Sequence, residues 1–209
     1  PMADGPTIQR SSERALLHKV CLKDILGMVR EFRTQNTTTP VVLMGYANPI
    51  EAMGYENFAR DAQAAGVDGV LTVDYPPEEC GEFLACLAQH ELDPIFLLSP
   101  TSVDARVAAV AKAARGFVYY VSLKGVTGAA NLDLAEVKAR LAKLRKQISL
   151  PLGVGFGIRD GAMAKAMAEF ADAVVIGSRI VQEIESAPAD QVTARVGALV
   201  KSIRTAMDS

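Results

Sequence analysis

Short runs of β-forming residues alternate with stretches of helical periodicity along the whole chain, and this alternation restricts the fold more than any other feature. The runs cover residues 41–44, 69–73, 94–98, 117–121, 152–154 and 173–176. Val41-Val42-Leu43-Met44 is apolar throughout, as expected of a strand covered on both faces of a parallel sheet. Helices are predicted over 11–33 with a break near Cys21, and over 55–65, 77–90, 103–114, 133–147, 160–169 and 189–207. Gly66 reads as a C-cap, Pro77 with Glu78 and Glu79 as a helix start, and Thr101 or Ser102 as an N-cap. Strands joined through helices run in the same direction, so the class is α/β with a parallel sheet.

Periodicity alone does not separate a doubly wound open sheet from a (β/α)8 barrel. The last three strand-like runs each lead into glycine: Gly125-Val126-Thr127-Gly128, Gly155-Phe156-Gly157, and Gly177-Ser178 ahead of a short helical piece. Turns after the late strands, with the N-terminus of a short extra helix, form the usual phosphate site of such barrels. Glycine lets backbone N–H groups approach an anion closely, and a helix N-terminus adds partial positive charge. The barrel is therefore the preferred expectation. Six strands are two short of eight, and the chain opens with a loop and a helix. The expected missing piece is an N-terminal β1–α1–β2 segment of roughly 40 to 55 residues, judged against about 250 for a typical barrel. Residues 1–209 are accordingly read as a single, incomplete TIM-barrel domain.

The chain has 209 residues, half of them hydrophobic, and a net charge of only −2. That balance gives no basic stripe for nucleic acid or an anionic membrane. No apolar run reaches the roughly 18 residues of a membrane span, and no signal peptide opens the sequence. Cys21, Cys80 and Cys86 fit neither a CxxC nor a zinc spacing and read as free thiols in a reducing cytoplasm.

Among residues that could carry chemistry, Asp4 lies in an Asp-Gly-Pro loop that would follow a strand on the catalytic face, although Asp-Gly-Pro also makes a good turn by itself. Asp74 ends the run at 69–73, where a barrel carboxylate reads as functional; capping the loop before Pro76 and Pro77 is its plain alternative. Tyr46 could line a pocket, and Asn48 could brace loops. Tyr119 and Tyr120 point to opposite sides of their strand, so only one faces the barrel interior. His18 and His90 belong to helices and read as surface residues. Lys124 could attract a phosphate or form a Schiff base, but a lysine in such a loop is usually solvated. No Ser/His/Asp arrangement or metal cluster is evident.

Six motifs in order resemble the α subunit family of tryptophan synthase: Ala3-Asp4-Gly5-Pro6-Thr7-Ile8-Gln9, Met44-Gly45-Tyr46-Ala47-Asn48-Pro49, Asp74-Tyr75-Pro76-Pro77-Glu78-Glu79, Gly125-Val126-Thr127-Gly128, Gly155-Phe156-Gly157-Ile158 and Gly177-Ser178. The resemblance spans residues 1–185 and continues more loosely to the end. It implies retro-aldol cleavage of indole-3-glycerol phosphate to indole and glyceraldehyde 3-phosphate. By the same resemblance Asp4 is catalytic, and Tyr46, Tyr119, Thr127 and Phe156 lie against the substrate. Gly128, Gly157, Gly177 and Ser178 hold the phosphate. The resemblance further implies no cofactor in this chain and a pyridoxal-phosphate β subunit as partner in an α2β2 assembly. The loops at 1–6, 46–54 and 125–131 would form the docking face. The family's proton-shuttling glutamate lies upstream of the Asp-Gly-Pro-Thr loop and has no counterpart in these residues, so the chain as written is expected to be inactive alone. Two other readings stay open: a non-catalytic module that docks to the β subunit, and another phosphate-binding barrel such as an isomerase of aromatic amino-acid synthesis.

Overall fold

A computed structural model describes residues 3–122, 133–155 and 157–209. Six strands form one sheet: β1 (Val42–Gly45), β2 (Gly69–Thr72), β3 (Asp93–Leu98), β4 (Val118–Val121), β5 (Leu152–Gly155) and β6 (Ala173–Val175). They lie side by side in sequence order and every neighbouring pair is parallel. A doubly wound sheet needs a reversal of strand order to place helices on both faces. Here every crossover steps the same way, and crossovers keep one hand, so the helices gather on one face and the sheet curls. The barrel-like arrangement is thus observed and the doubly wound one is not.

Side-chain alternation divides each strand between two cores. Val70, Phe96, Leu98, Val118, Tyr120, Leu152 and Val154 pack outward against the helices. Leu71, Ile95 and Tyr119 pack on the opposite, inner face, with Val42, Val73, Leu97, Phe117 and Val175 around them. The strand period of two accounts for this split. It also settles which tyrosine faces inward: Tyr119. On the inner face β5 offers only glycine. A Cβ at Gly153 would press on the Phe117 ring, and one at Gly155 would fall on the Tyr119 hydroxyl. The rings of Phe117, just ahead of β4, and Tyr119 of β4 therefore occupy space that side chains of β5 would otherwise fill.

The helices follow in chain order: α1 (Pro6–Leu17), α2 (Leu22–Arg33), α3 (Ala47–Met53), α4 (Tyr55–Ala65), α5 (Gly81–Gln89), α6 (Asp104–Ala113), α7 (Leu134–Leu144), α8 (Gly161–Ala168), α9 (Ser178–Ser186) and α10 (Val192–Asp208). Several differ from the sequence expectation. The stretch 11–33 is two helices, and the first starts earlier, at Pro6, whose fixed φ and missing N–H suit a first turn. Lys19 in the left-handed region and Cys21 as N-cap separate the two. The stretch 46–54, read as a loop, contains α3. Pro77 does not open α5; the chain turns there, and the helix starts at Gly81. Neither Thr101 nor Ser102 caps α6. Its N-cap is Val103, while Ser102 Oγ accepts the Ser99 N–H at 2.9 Å. Gly66 ends α4 in the left-handed conformation as expected, and Arg33 lies over it, donating Nε to its carbonyl at 2.8 Å. Asp133 and Asp160 cap α7 and α8 through their side chains.

Candidate active site

In a parallel sheet all strand C-termini share one edge, so residues far apart in sequence converge there. Residues following β1, β2, β4, β5 and β6 supply that edge with Tyr46, Asp74, Ser122, Gly157, and Gly177 with Ser178. Asp4 reaches it from the N-terminal segment ahead of α1. Tyr46 Oη donates to Asp4 Oδ2 at 2.7 Å and accepts the Ala3 N–H at 3.1 Å. Burial, then the bond to Asp4, raises the Tyr46 phenol above its ordinary value, so it stays protonated and serves as a donor. Asp4 is half-buried, and its carbonyl accepts Gln9 Nε2 at 2.9 Å. Asp4 and Pro6 thus do more than make a turn: the segment feeds a helix, and its carboxylate is tied to β1's end.

Asp74 is exposed and does not cap its own loop; its Oδ1 accepts the Ala47 N–H, the first amide of α3, at 2.8 Å. Asn48 is exposed on α3. Tyr119 is buried on the inner face of β4, and desolvation pushes its phenol up to about 12. It is therefore a neutral hydroxyl near pH 7, fit to shape a pocket rather than to act as a base. The sequence reading missed Ser122, which is buried directly after β4 and donates Oγ to the Gly155 carbonyl at 2.8 Å. A serine one residue past the apolar run at 117–121 was its only signal.

Gly157 adopts φ 82°, a left-handed conformation that glycine reaches without strain. Gly177 is the N-cap of α9 and Ser178 its first residue. A Cβ at Gly177 would meet nothing within 4 Å, so neither neighbours nor backbone explain glycine there. Thr127, Gly128 and Phe156 lie outside the described residues, as does Lys124. His90 belongs elsewhere: it ends α5 at the opposite edge and bonds Glu56 at 2.9 Å and Gln63 at 3.0 Å, more enclosed than a plain surface residue. His18 is exposed. A groove of about 690 Å³ between α5 and α6, floored by Leu84, Ala88, Leu92 and Ala109, sits where β3 begins, away from the strand-end edge. Among the described residues no group of three or more His, Cys, Asp or Glu could hold a metal, and no helix is long and apolar enough to cross a membrane.

Fold and edge together define a parallel α/β protein of barrel-like build, with a carboxylate and glycine-bearing turns at its strand C-termini. The family model described as "Tryptophan synthase alpha chain" matches residues 1–208. The tryptophan synthase alpha chain of Nitrosomonas europaea is 65% identical over 209 residues, which are all of this chain and 76% of that protein. That of Thiobacillus denitrificans is 64% identical, with 77% of its length covered. The crystal structure of the alpha subunit from Legionella pneumophila superposes with a TM-score of 0.90 at 43% identity, covering all of this chain and 78% of that one. A chain of the tryptophan synthase α2β2 complex from Pyrococcus furiosus gives 0.88 at 34% identity, covering 98% of this chain and 82% of that one. The chain belongs to the tryptophan synthase alpha chain family.

Proposed function

We propose that this chain is a carbon–carbon lyase that cleaves indole-3-glycerol phosphate to indole and glyceraldehyde 3-phosphate. The observation that carries the reading is the Asp4 carboxylate held by Tyr46 at the strand-end edge that also bears the glycine turns. In the cleavage a proton is delivered to the indole ring carbon that carries the side chain, and the side-chain hydroxyl loses its proton. The electron pair of the broken C–C bond passes to the ring, and the hydroxyl carbon becomes the aldehyde. Positive charge develops on the ring nitrogen before the bond breaks. A carboxylate accepting the indole N–H stabilises that charge most where it is greatest, in the transition state. Asp4 is assigned that role.

Tyr46, Tyr119 and Phe156 are assigned to the walls of the indole pocket, and Thr127 to closure over it, which excludes water. Gly128, Gly157, Gly177 and Ser178 are assigned to the phosphate; the free amides and dipole at the start of α9 suit a dianion. The proton-shuttling glutamate implied by the resemblance has no counterpart among these 209 residues, so they alone are expected to be inactive. Among the described residues β1 and β6, at the two edges of the sheet, each pair on one side only, an arrangement compatible with an eight-stranded barrel. The proposed partner is a β subunit in an α2β2 assembly in the cytoplasm, which would carry the pyridoxal phosphate. It would dock on the N-terminal segment, α3 and residues 125–131.

The reading is tested by following indole release from indole-3-glycerol phosphate by the full-length chain with β subunit present. Release that disappears in Asp4→Asn supports it. Absence of release from the unaltered chain removes the lyase reading and leaves a docking module.

A further inference from the structure

We propose that Asp74 is a positioning residue: it fixes the start of α3, and through Tyr46 it aims the carboxylate of Asp4. The inference rests on the reading that Asp4 reacts with substrate. The first amides of a helix have no acceptor within the helix. The N-cap of α3 is Tyr46, whose side chain makes no cap; its phenol reaches Asp4. The missing acceptor comes from the loop after β2, as Asp74 Oδ1 lies 2.8 Å from Ala47 N. Ala47 adjoins Tyr46, so anything that holds this amide also fixes the backbone from which the phenol projects.

A second contact acts from the same place. Tyr75, next to Asp74, shares a hydrogen bond with the Tyr55 hydroxyl, and Tyr55 in turn donates to Glu51 of α3 at 2.9 Å. Tyr75 also stacks on Phe83 of α5 with ring centroids 6.0 Å apart, which anchors it to the helical layer. Residues 74 and 75 therefore grip α3 at its first amide and, through Tyr55, further along. The chain of contacts runs from the loop after β2 to α3, to Tyr46, and then to Asp4, 70 positions upstream of Asp74.

The test compares Asp74→Ala with Asp74→Asn in the full-length chain with β subunit present. An asparagine keeps an Oδ1 that accepts the Ala47 N–H, whereas alanine removes the acceptor. We expect the alanine variant to lose about ten- to a hundredfold in kcat, the range for a catalytic group slightly misplaced, with KM nearly unchanged. The asparagine variant should recover most of that loss. Amide exchange gives a readout independent of turnover. Alanine at 74 should speed exchange at Ala47 and also at Ala3, whose N–H is bonded to the Tyr46 hydroxyl. A cap that only stabilised α3 would move Ala47 alone and overturn the proposal. Asparagine as damaging as alanine would mean the charge itself acts, and a rise confined to KM would mean a substrate contact; either overturns it. If the unaltered chain releases no indole, the lyase reading fails, and exchange at Ala3 still decides whether Asp74 positions Tyr46.

Discussion

A carboxylate serves chemistry only when its direction is fixed, and the Tyr46 hydroxyl bond does this for Asp4. Replacing Asp4 with asparagine keeps an oxygen that accepts from Tyr46 but removes the charge. The expected result is loss of indole release with the fold nearly intact, since asparagine keeps the acceptor for Tyr46. A large fall in melting temperature would show that the aspartate is structural. Gly177 poses the complementary question. Its φ of −111° is open to any residue, and a Cβ there meets no neighbour, so the fold has little need of glycine at this point. Gly177→Val should therefore leave the melting temperature nearly unchanged while weakening the binding of a phosphate-bearing ligand by crowding the amides at the start of α9. Unchanged affinity, measured by calorimetry with an indole phosphate analogue, would remove Gly177 from the phosphate site.

Between elements, the contact that shapes the inner face is Tyr119 of β4 against Gly155 of β5. The variant Gly155→Ala would drive a methyl group into the ring, and overpacking of this kind typically costs about 1–3 kcal/mol in urea unfolding. A cost near zero would mean that the ring has room to swing away. That contact was half legible in the sequence. The apolar runs gave all six strands within a residue or so, because period-two burial is written into the side chains themselves. The inward choice between Tyr119 and Tyr120 was not legible in position and spacing, since it depends on which face the other strands turn to the helices; only the family resemblance pointed to Tyr119. α3 escaped notice because residues 46–54 were read as a loop, whereas the proline they contain is tolerated in a helix's first turn. The start of α5 was misplaced for the converse reason, as Pro77 there belongs to a turn. The pairing of Asp4 with Tyr46 joins the segment ahead of α1 to the end of β1, and that of Asp74 with Ala47 joins the loop after β2 to the start of α3. Only the folded sheet brings them together, so no local pattern announces them.

At the scale of the whole molecule, α9 links the N-terminal helix to the C-terminal one through its glutamates. Glu185 accepts from Arg10 at 3.0 Å and Arg14 at 2.9 Å on α1. Glu183 accepts from Arg179 at 2.9 Å and from Arg195 of α10 at 2.6 Å. Bonds from Arg10 hold the Glu185 carboxyl below the usual range, and those from Arg179 and Arg195 do the same for Glu183. A carboxyl depressed in the folded state binds its proton less tightly there than in the unfolded chain. The unfolded chain then takes up more protons as the pH drops, so folding stability falls with pH. The contribution is fully present above the ordinary glutamate range and is lost as pH falls through the depressed values. Each pair is at least partly exposed, so each contribution is small and screened by salt. Melting temperature should thus stay level from neutral to mildly acidic pH and decline below the glutamate range. Glu185→Gln should make that decline shallower, and its effect at neutral pH should shrink in high salt. Parallel pH profiles for the variant and the unaltered chain would show that the α1–α9 link contributes nothing to holding the N-terminal segment, and with it Asp4, against the sheet.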